Sequence, residues 1–99
     1  MSPSVSISFA DSAVNDLNEI LAYYAAEQIP HTGRLLVAGI IADIELLKDQ
    51  PDMGRMVPEF ESEKLRELIR PPFRIVYRRE KSRVRIIRVW RSERLLKLP

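Results

Sequence analysis

Hydrophobic residues near the start of the chain recur first at every second position and then at helical spacing. Val5, Ile7 and Phe9 alternate with serines, which predicts a strand with one buried face. The apolar residues that follow are three or four positions apart and predict a helix that ends near Gln28. The apolar positions of this helix are Ala13, Leu17, Ile20, Leu21 and Tyr24.

A second helix is predicted after Pro30, with Thr32 as its N-cap. For the first helix, Asp11 or Ser12 is the expected N-cap. Gly39 lies inside the second helix, where glycine costs about 1 kcal/mol relative to alanine, so we expect two helices to approach closely there. The two helices should form an αα-hairpin over a sheet. The broad apolar face of the second helix consists of Leu36, Val37, Ile40, Ile41, Ile44 and Leu47.

The second half of the chain has the pattern of short strands. Residues 51–60 contain two prolines and a glycine and are predicted to form a loop. Segments 64–70, 73–79 and 83–91 have strand character, with a turn at 79–82, and predict an antiparallel meander. The predicted fold class is α+β: an antiparallel sheet with an N-terminal αα-hairpin packed on one face, in the order β-α-α-β-β-β. We expect one domain over residues 1–99.

The amino-acid composition restricts the class of protein to which this chain can belong. The chain has 99 residues, of which 45% are hydrophobic and 30% charged, as expected for one globular domain. It has no cysteine, so disulfides and thiolate metal sites are excluded and nothing favours an oxidising compartment. No run approaches the roughly 18 apolar residues that span a membrane. We therefore expect a cytoplasmic protein that does not associate with membranes.

The net charge of +2 hides a strong asymmetry between the two parts of the chain. Residues 1–63 contain three basic and eleven acidic residues, a net charge of −8, whereas residues 64–99 contain thirteen basic and three acidic residues, a net charge of +10. Ten of those thirteen basic residues are arginine. Such a segment attracts an anionic partner, either nucleic acid or an acidic protein segment. The alternative interpretation is a solvated basic face.

Side chains alternate across a strand, so arginines at every second or fourth position of the last three strands share a face within each strand. We expect these guanidinium groups to gather on one exposed side of the sheet, although the register that decides this is not fixed by the sequence. Phe73 and Tyr77 are expected in the core, while Trp90 fits either the core or base stacking equally. The predicted binding surface consists of Arg66, Arg70, Arg74, Arg78, Arg85, Arg91 and Arg94.

The chain offers little for catalysis. Its one histidine, His31, is expected to be an ordinary surface residue between the helices. No ligand cluster predicts a metal site, no GxSxG motif is present, and the three glycines are too scattered for a phosphate loop. We therefore predict no catalytic residue, no metal and no cofactor. Guanidinium groups hold phosphates or carboxylates without proton transfer, which favours binding as the activity.

Particular motifs, taken in order, resemble the ParE/RelE toxin superfamily along nearly the whole chain. One is the strand FRIVYR at residues 73–78, and another is the run LREL at 65–68. Others are DLNEI at 16–20, PDMGR at 51–55 followed by Pro58 and Glu59, and residues 84–94 with their closing arginine. The resemblance implies the toxin of a type II toxin-antitoxin system.

The superfamily implies two mechanisms. RelE-type members enter the ribosome and cleave mRNA with basic side chains and a C-terminal tyrosine or histidine. Arg74 matches an arginine of that group, but Leu65 and Glu67 stand where such nucleases carry paired basic residues, and no tyrosine or histidine follows Trp90. ParE-type members poison DNA gyrase and share the LREL and FRIVYR runs. The resemblance therefore favours DNA gyrase as target, with ribosome and mRNA as the alternative and a non-toxic nucleic-acid-binding module as a second alternative.

A cognate antitoxin, ParD-like or of another small type, is also implied by the resemblance. An acidic, amphipathic antitoxin segment suits a basic and partly apolar toxin surface. Trp90 is a candidate contact for a partner, because the sequence fits both a core position and a base-stacking position for its side chain. The apolar residues of the tail fit either this interface or the toxin's own core, and they are Leu95, Leu96 and Leu98.

Overall fold

A computed structural model describes residues 4–91 of the chain. Two helices lie on one side of a five-stranded sheet, in agreement with the predicted α+β architecture. The predicted strands at 64–70, 73–79 and 83–91 are present with bounds that agree within one residue. In chain order the elements are β1 (Ser6–Phe9), α1 (Asp11–Ala26), α2 (Pro30–Leu46), β2 (Arg55–Met56), β3 (Leu65–Arg70), β4 (Phe73–Arg79) and β5 (Arg83–Arg91).

The strand order across the sheet is β1-β5-β4-β3-β2. β3, β4 and β5 form the predicted antiparallel meander, and the turn at 79–82 joins the last two as expected. β1 adds a parallel pairing beside β5, which the two-helix crossover between them permits. β2 has only two residues and pairs with β3, so it was too short to be recognised within the predicted loop.

The predicted helix caps are wrong. α1 begins after Ala10 and α2 after Ile29, and neither helix has a side-chain cap. Pro30 occupies the first turn of α2, where its fixed φ angle and missing N–H suit a helix start. Ser12 lies inside the first turn of α1, and its hydroxyl donates a hydrogen bond of 2.6 Å to the carbonyl of Ile87 in β5.

The first turns of α1 complete the edge of β5 where β1 ends. The amide of Ala10 donates to the Ile86 carbonyl at 2.8 Å, and the Ser12 hydroxyl continues this series at Ile87. Asp16 then accepts a 2.8 Å hydrogen bond from the amide of Val89. Since an unpaired strand edge leaves polar groups unsatisfied, helix side chains here replace a neighbouring strand.

The main core lies between the helices and the sheet, on what we call the helix face of the sheet. Phe73 and Tyr77 are buried there, which confirms their predicted place in the core. The Tyr77 hydroxyl donates to the Pro51 carbonyl at 2.8 Å and accepts from the Gly54 amide at 3.0 Å, so it ties the loop after α2 to the sheet. The buried helical residues of this core are Ala13, Ile20, Ile40, Ile44 and, just after α2, Leu47.

The close helix approach occurs at a different glycine from the one predicted. A Cβ atom at Gly33 would lie 2.9 Å from Cβ of Tyr24 in α1, so the two helices meet there. A Cβ at Gly39 would instead meet the guanidinium group of Arg70 from β3. The expectation for Gly39 is therefore wrong: the missing side chain makes room for an arginine and not for a helix.

Within residues 4–91, neither helix has the length and apolar character that crossing a bilayer requires.

Candidate functional site

The strand register divides the predicted arginine surface between the two sides of the sheet. Arg66 and Arg70 lie opposite Tyr77 and Phe73, so they are on the helix face. Arg74 lies on the opposite side, which we call the far face, because it alternates with the core residues of β4. The expectation that one exposed plane holds all these guanidinium groups is therefore wrong.

A bulge in β5 adds to this division. Val76 pairs with Arg88 and Tyr77 pairs with Ile86, so Ile87 is the extra residue. Arg85, before the bulge, faces the same side as Arg78, whereas Arg91, after it, lies opposite Phe73 on the helix face. A strict alternation along β5 had predicted that Arg85 and Arg91 share a side.

Much of the far face is covered and not exposed. A second apolar cluster lies there beneath the loop that leads from β2 to β3. Its members are Val57, Leu65, Val76 and Ile87, with Phe60 and Trp90 packed against them. The loop residues Val57 and Phe60 therefore shield the centre of the far face from solvent.

Arg74 is the centre of a buried charge network on the far face. Its guanidinium donates two hydrogen bonds of 2.7 and 2.8 Å to the Glu59 carboxylate of the covering loop. It also binds Glu67 of β3, with Nε 2.8 Å and Nη2 2.6 Å from Oε2. The Glu67 side chain is 0% exposed and accepts a further hydrogen bond of 2.8 Å from Arg55 of β2. Two carboxylates thus neutralise the arginine that resembles a nuclease residue.

The pKa values of this network shift in the direction that keeps both partners charged. Hydrogen bonding to Arg74 lowers the pKa of the Glu59 carboxyl below its ordinary value. Hydrogen bonding to Glu59 raises the pKa of Arg74, against the opposing effect of burial. The contact between Arg74 and Glu59 therefore favours the charged form of both groups.

The helix-face arginines are also engaged by acceptors of the same chain. Arg70 forms two 3.0 Å hydrogen bonds with the Asp43 carboxylate of α2, and it lies over Gly39. Arg66 donates to the Gly54 carbonyl at 2.9 Å and lies 3.9 Å from the Asp52 carboxylate. Arg70 therefore links α2 to β3, and Arg66 links the loop after α2 to β3.

The remaining predicted residues lie in different places. Arg78 is exposed and Arg85 half-buried, and the two are direct cross-strand neighbours at the β4–β5 turn end of the far face. Arg91 lies at the other end of β5, with its guanidinium 5.9 Å from the centre of the Phe73 ring. Trp90 is half-buried, and Arg88 stacks 4.3 Å above its ring. Arg94, Leu95, Leu96 and Leu98 lie outside the described residues.

A groove of about 510 Å³ runs between α1 and the end of β5. Its walls combine apolar and aromatic surface with cations and acids. Asp16 of α1 forms part of the wall and holds Arg88 through hydrogen bonds of 2.7 and 2.9 Å. The remaining lining residues are Glu19, Ile20, Tyr23, Tyr24, Phe73, Val89, Trp90 and Arg91.

The acids of these networks were not predicted as site residues. One signal in the sequence could have identified these acids as site residues. Each belongs to a motif that carried the family resemblance, and they are Asp16, Glu59 and Glu67. Glu67 offered a second signal: it falls on the far face of β3 between Leu65 and Ile69, where an unpaired carboxylate would be costly.

The histidine and the candidate metal ligands of residues 4–91 do not form a cluster. His31 is exposed in the first turn of α2, far along the chain from the arginine-rich strands. Residues 4–91 contain no group of three histidine, cysteine or acidic side chains placed to hold a metal ion.

Comparison with known proteins fits this architecture. A family model described as the ParE toxin of the type II toxin-antitoxin system parDE matches residues 7–96. The chain belongs to the ParE toxin family. No protein of curated function matches the sequence significantly.

Solved structures extend the comparison of this ParE-family toxin to its fold. A chromosomal ParDE toxin-antitoxin system from P. aeruginosa matches with a TM-score of 0.75 and 26% identity, over 93% of this chain and 100% of that one. The toxin-antitoxin complex RelBE2 from Mycobacterium tuberculosis matches with a TM-score of 0.64 and 17% identity, over 89% of this chain and 98% of that one. The second likeness shows the shared fold alone. A ParE-type toxin of a type II system has an antitoxin as its partner.

Proposed function

We propose that this ParE-family toxin acts in the cytoplasm by binding and inhibiting DNA gyrase, and not by cleaving mRNA. The state of Arg74 carries the proposal, because Arg74 matches the arginine that RelE-type nucleases use. Here its guanidinium is buried and its donors are occupied by Glu59 and Glu67. A phosphate approaching Arg74 would meet two carboxylates, and charge repulsion opposes such an approach.

Supercoiling by purified gyrase tests the target directly. We expect the wild-type toxin to inhibit supercoiling and to stabilise a cleaved DNA–gyrase complex. The same toxin premixed with its antitoxin is the control and should leave gyrase active. Fully active gyrase in the presence of toxin that still arrests growth would remove gyrase as the target. Primer extension on translated mRNA then tests the alternative, because a ribosome-dependent nuclease would leave new ends.

We further propose that the antitoxin neutralises the toxin by filling the groove between α1 and β5. The groove offers aromatic surface from Tyr23 and Trp90 beside cationic side chains, which complements an acidic, amphipathic segment. Tyr23→Glu places a charge in the groove at an exposed position and should weaken antitoxin binding, measured by calorimetry. Leu35→Glu on the exposed side of α2 is the control and should bind as the wild type does. Equal affinity of both variants would contradict this site.

A further inference from the structure

We propose that Arg78, Arg83 and Arg85 form a binding patch for the phosphate backbone of double-stranded DNA, which we call the turn patch. The inference deepens the proposed gyrase function and rests on it for its setting, since DNA is the substrate that gyrase holds. The turn patch lies on the far face at the β4–β5 turn. The groove lies at the opposite end of the same strands, near Phe73 and Trp90.

The sheet places Arg78, Arg83 and Arg85 next to one another on one face. Arg78 and Arg85 are paired across β4 and β5, and Cβ atoms of directly opposed residues lie about 5 Å apart. Arg83 is two residues from Arg85 along β5, so it shares the same face at roughly 7 Å. A flat array of forked donors at this spacing suits contact with successive anionic groups.

The carboxylates of the described residues do not fully neutralise the positive charge of the turn patch. Within residues 4–91, Arg78 forms no ion pair, and Arg85 has only a 3.4 Å hydrogen bond to the Ser8 hydroxyl. Glu80 is engaged by Arg83 at 2.7 Å. Hydrogen bonding to Arg83 lowers the pKa of Glu80, and the charges of Arg78 and Arg85 lower it further. This one carboxylate therefore faces three cations.

Arg78 and Arg85 differ in this respect from the other arginines of the predicted surface discussed above. Arg66, Arg70 and Arg74 each lie within 4 Å of a carboxylate of the same chain. Like charges directly opposed across two strands destabilise a sheet, so the pair Arg78 and Arg85 opposes folding. An anion outside the chain removes that repulsion when it binds.

The surroundings favour nucleic acid over an acidic protein segment. Exposed large hydrophobic residues occur on the helices and on the β2–β3 side of the described chain, but not at the β4–β5 turn. An amphipathic peptide would find no apolar surface there. Nucleic acid needs none, because phosphate contacts dominate its affinity and release counterions.

Fluorescence anisotropy with a labelled DNA duplex of mixed sequence tests the turn patch in the full-length toxin. Arg78→Glu with Arg85→Glu is expected to weaken DNA binding at least about tenfold, and the plot of log affinity against log salt should become shallower by about 2. Arg34→Glu with Lys48→Glu is the matched control, because it changes net charge equally at exposed positions in and just after α2. This control should change the affinity less than about twofold.

Three outcomes would overturn the inference. One is equal weakening by both double variants, which would mean that only net charge matters. Another is the absence of DNA binding by the wild-type toxin at low salt. A third is loss of antitoxin affinity without loss of DNA affinity in the patch variant. The assay contains no gyrase, so a failed gyrase target with intact, patch-dependent DNA binding would disprove the proposed function and leave the turn patch standing.

Discussion

Whether an arginine of this chain is available to a partner depends more on the nearest carboxylate than on the position of the arginine in its strand. Arg74 and Arg78 belong to the same strand and the same face, yet one is buried between two acids and the other is exposed without an ion pair among residues 4–91. Alternation predicts the face of a side chain, whereas its partner depends on residues far along the chain. The sequence therefore predicted that Arg74 and Arg78 share a face of the sheet, but it did not predict which of them a partner can reach.

Glu67 is expected to be the most costly of the acids to neutralise. Its side chain is 0% exposed and contacts both Arg55 and Arg74. Glu67→Gln leaves the buried cation of Arg74 with Glu59 alone, so we expect a loss of about 2–4 kcal/mol in the free energy of unfolding, measured with urea. Glu80→Gln, at an exposed ion pair, is the control and should have a much smaller effect. Equal effects would contradict the network.

Glu59 should make stability depend on pH. Its folded pKa lies below the unfolded value of 4.5, mainly because of hydrogen bonding to Arg74. A carboxyl with a depressed pKa stabilises the fold above its unfolded pKa, and this contribution is lost as the pH falls towards the folded pKa. Between about pH 5 and about pH 3 we expect the urea midpoint of Glu59→Gln to fall less steeply than that of the wild type. Ser62→Ala, in the same loop and without a titratable side chain, should retain the wild-type slope, and parallel profiles for all three proteins would disprove this role.

At the level of elements, α1 contributes to the sheet as well as to the core. Ser12 and Asp16 occupy hydrogen-bonding positions along β5 that a strand would otherwise fill. The sequence predicted the two helices, the first strand and the meander because the periodic spacing of apolar residues indicates them. The parallel place of β1, the two residues of β2 and the bulge at Ile87 could not be predicted, because they depend on pairing between distant segments.

Asp16 is expected to control the attachment of α1 to β5. Asp16→Ala removes the acceptor for the Val89 amide and the partner of Arg88, and should cost about 2–3 kcal/mol of unfolding free energy. The Val89 amide should then exchange with solvent faster in hydrogen-exchange measurements. Asp11→Ala, at an exposed acid in the first turn of the same helix, should cost less than about 1 kcal/mol. Unchanged exchange at Val89 would show that the edge is sealed in another way.

Over the whole molecule, the two oppositely charged segments neutralise each other. Acids before residue 64 bind arginines after it in the pairs Asp16–Arg88, Asp43–Arg70, Asp52–Arg79 and Glu59–Arg74. Among residues 4–91, these pairs satisfy part of the charge asymmetry inside the fold. The proposed turn patch contains two arginines, Arg78 and Arg85, that form no ion pair within residues 4–91, and the register of β4 and β5 identifies them as neighbours.

This division of charge should make the fold sensitive to salt. Sodium chloride screens attraction between the segments, so raising it to about 0.5 M should lower the unfolding free energy by about 1 kcal/mol. Urea titrations at several salt concentrations provide the measurement. Asp43→Asn combined with Arg70→Gln removes one of the pairs and should show a weaker dependence on salt. A wild-type midpoint that rises with sodium chloride would contradict the prediction.

The position of β1 beside β5 has a consequence for synthesis of the toxin. β1 has its sheet neighbour in β5, Arg83–Arg91, so β1 cannot pair with it until those residues have been synthesised. A nascent or prematurely terminated chain that ends before residue 83 lacks both the neighbour of β1 and the turn patch. We therefore expect such a truncated chain to be unable to complete the five-stranded sheet on which the toxin fold depends.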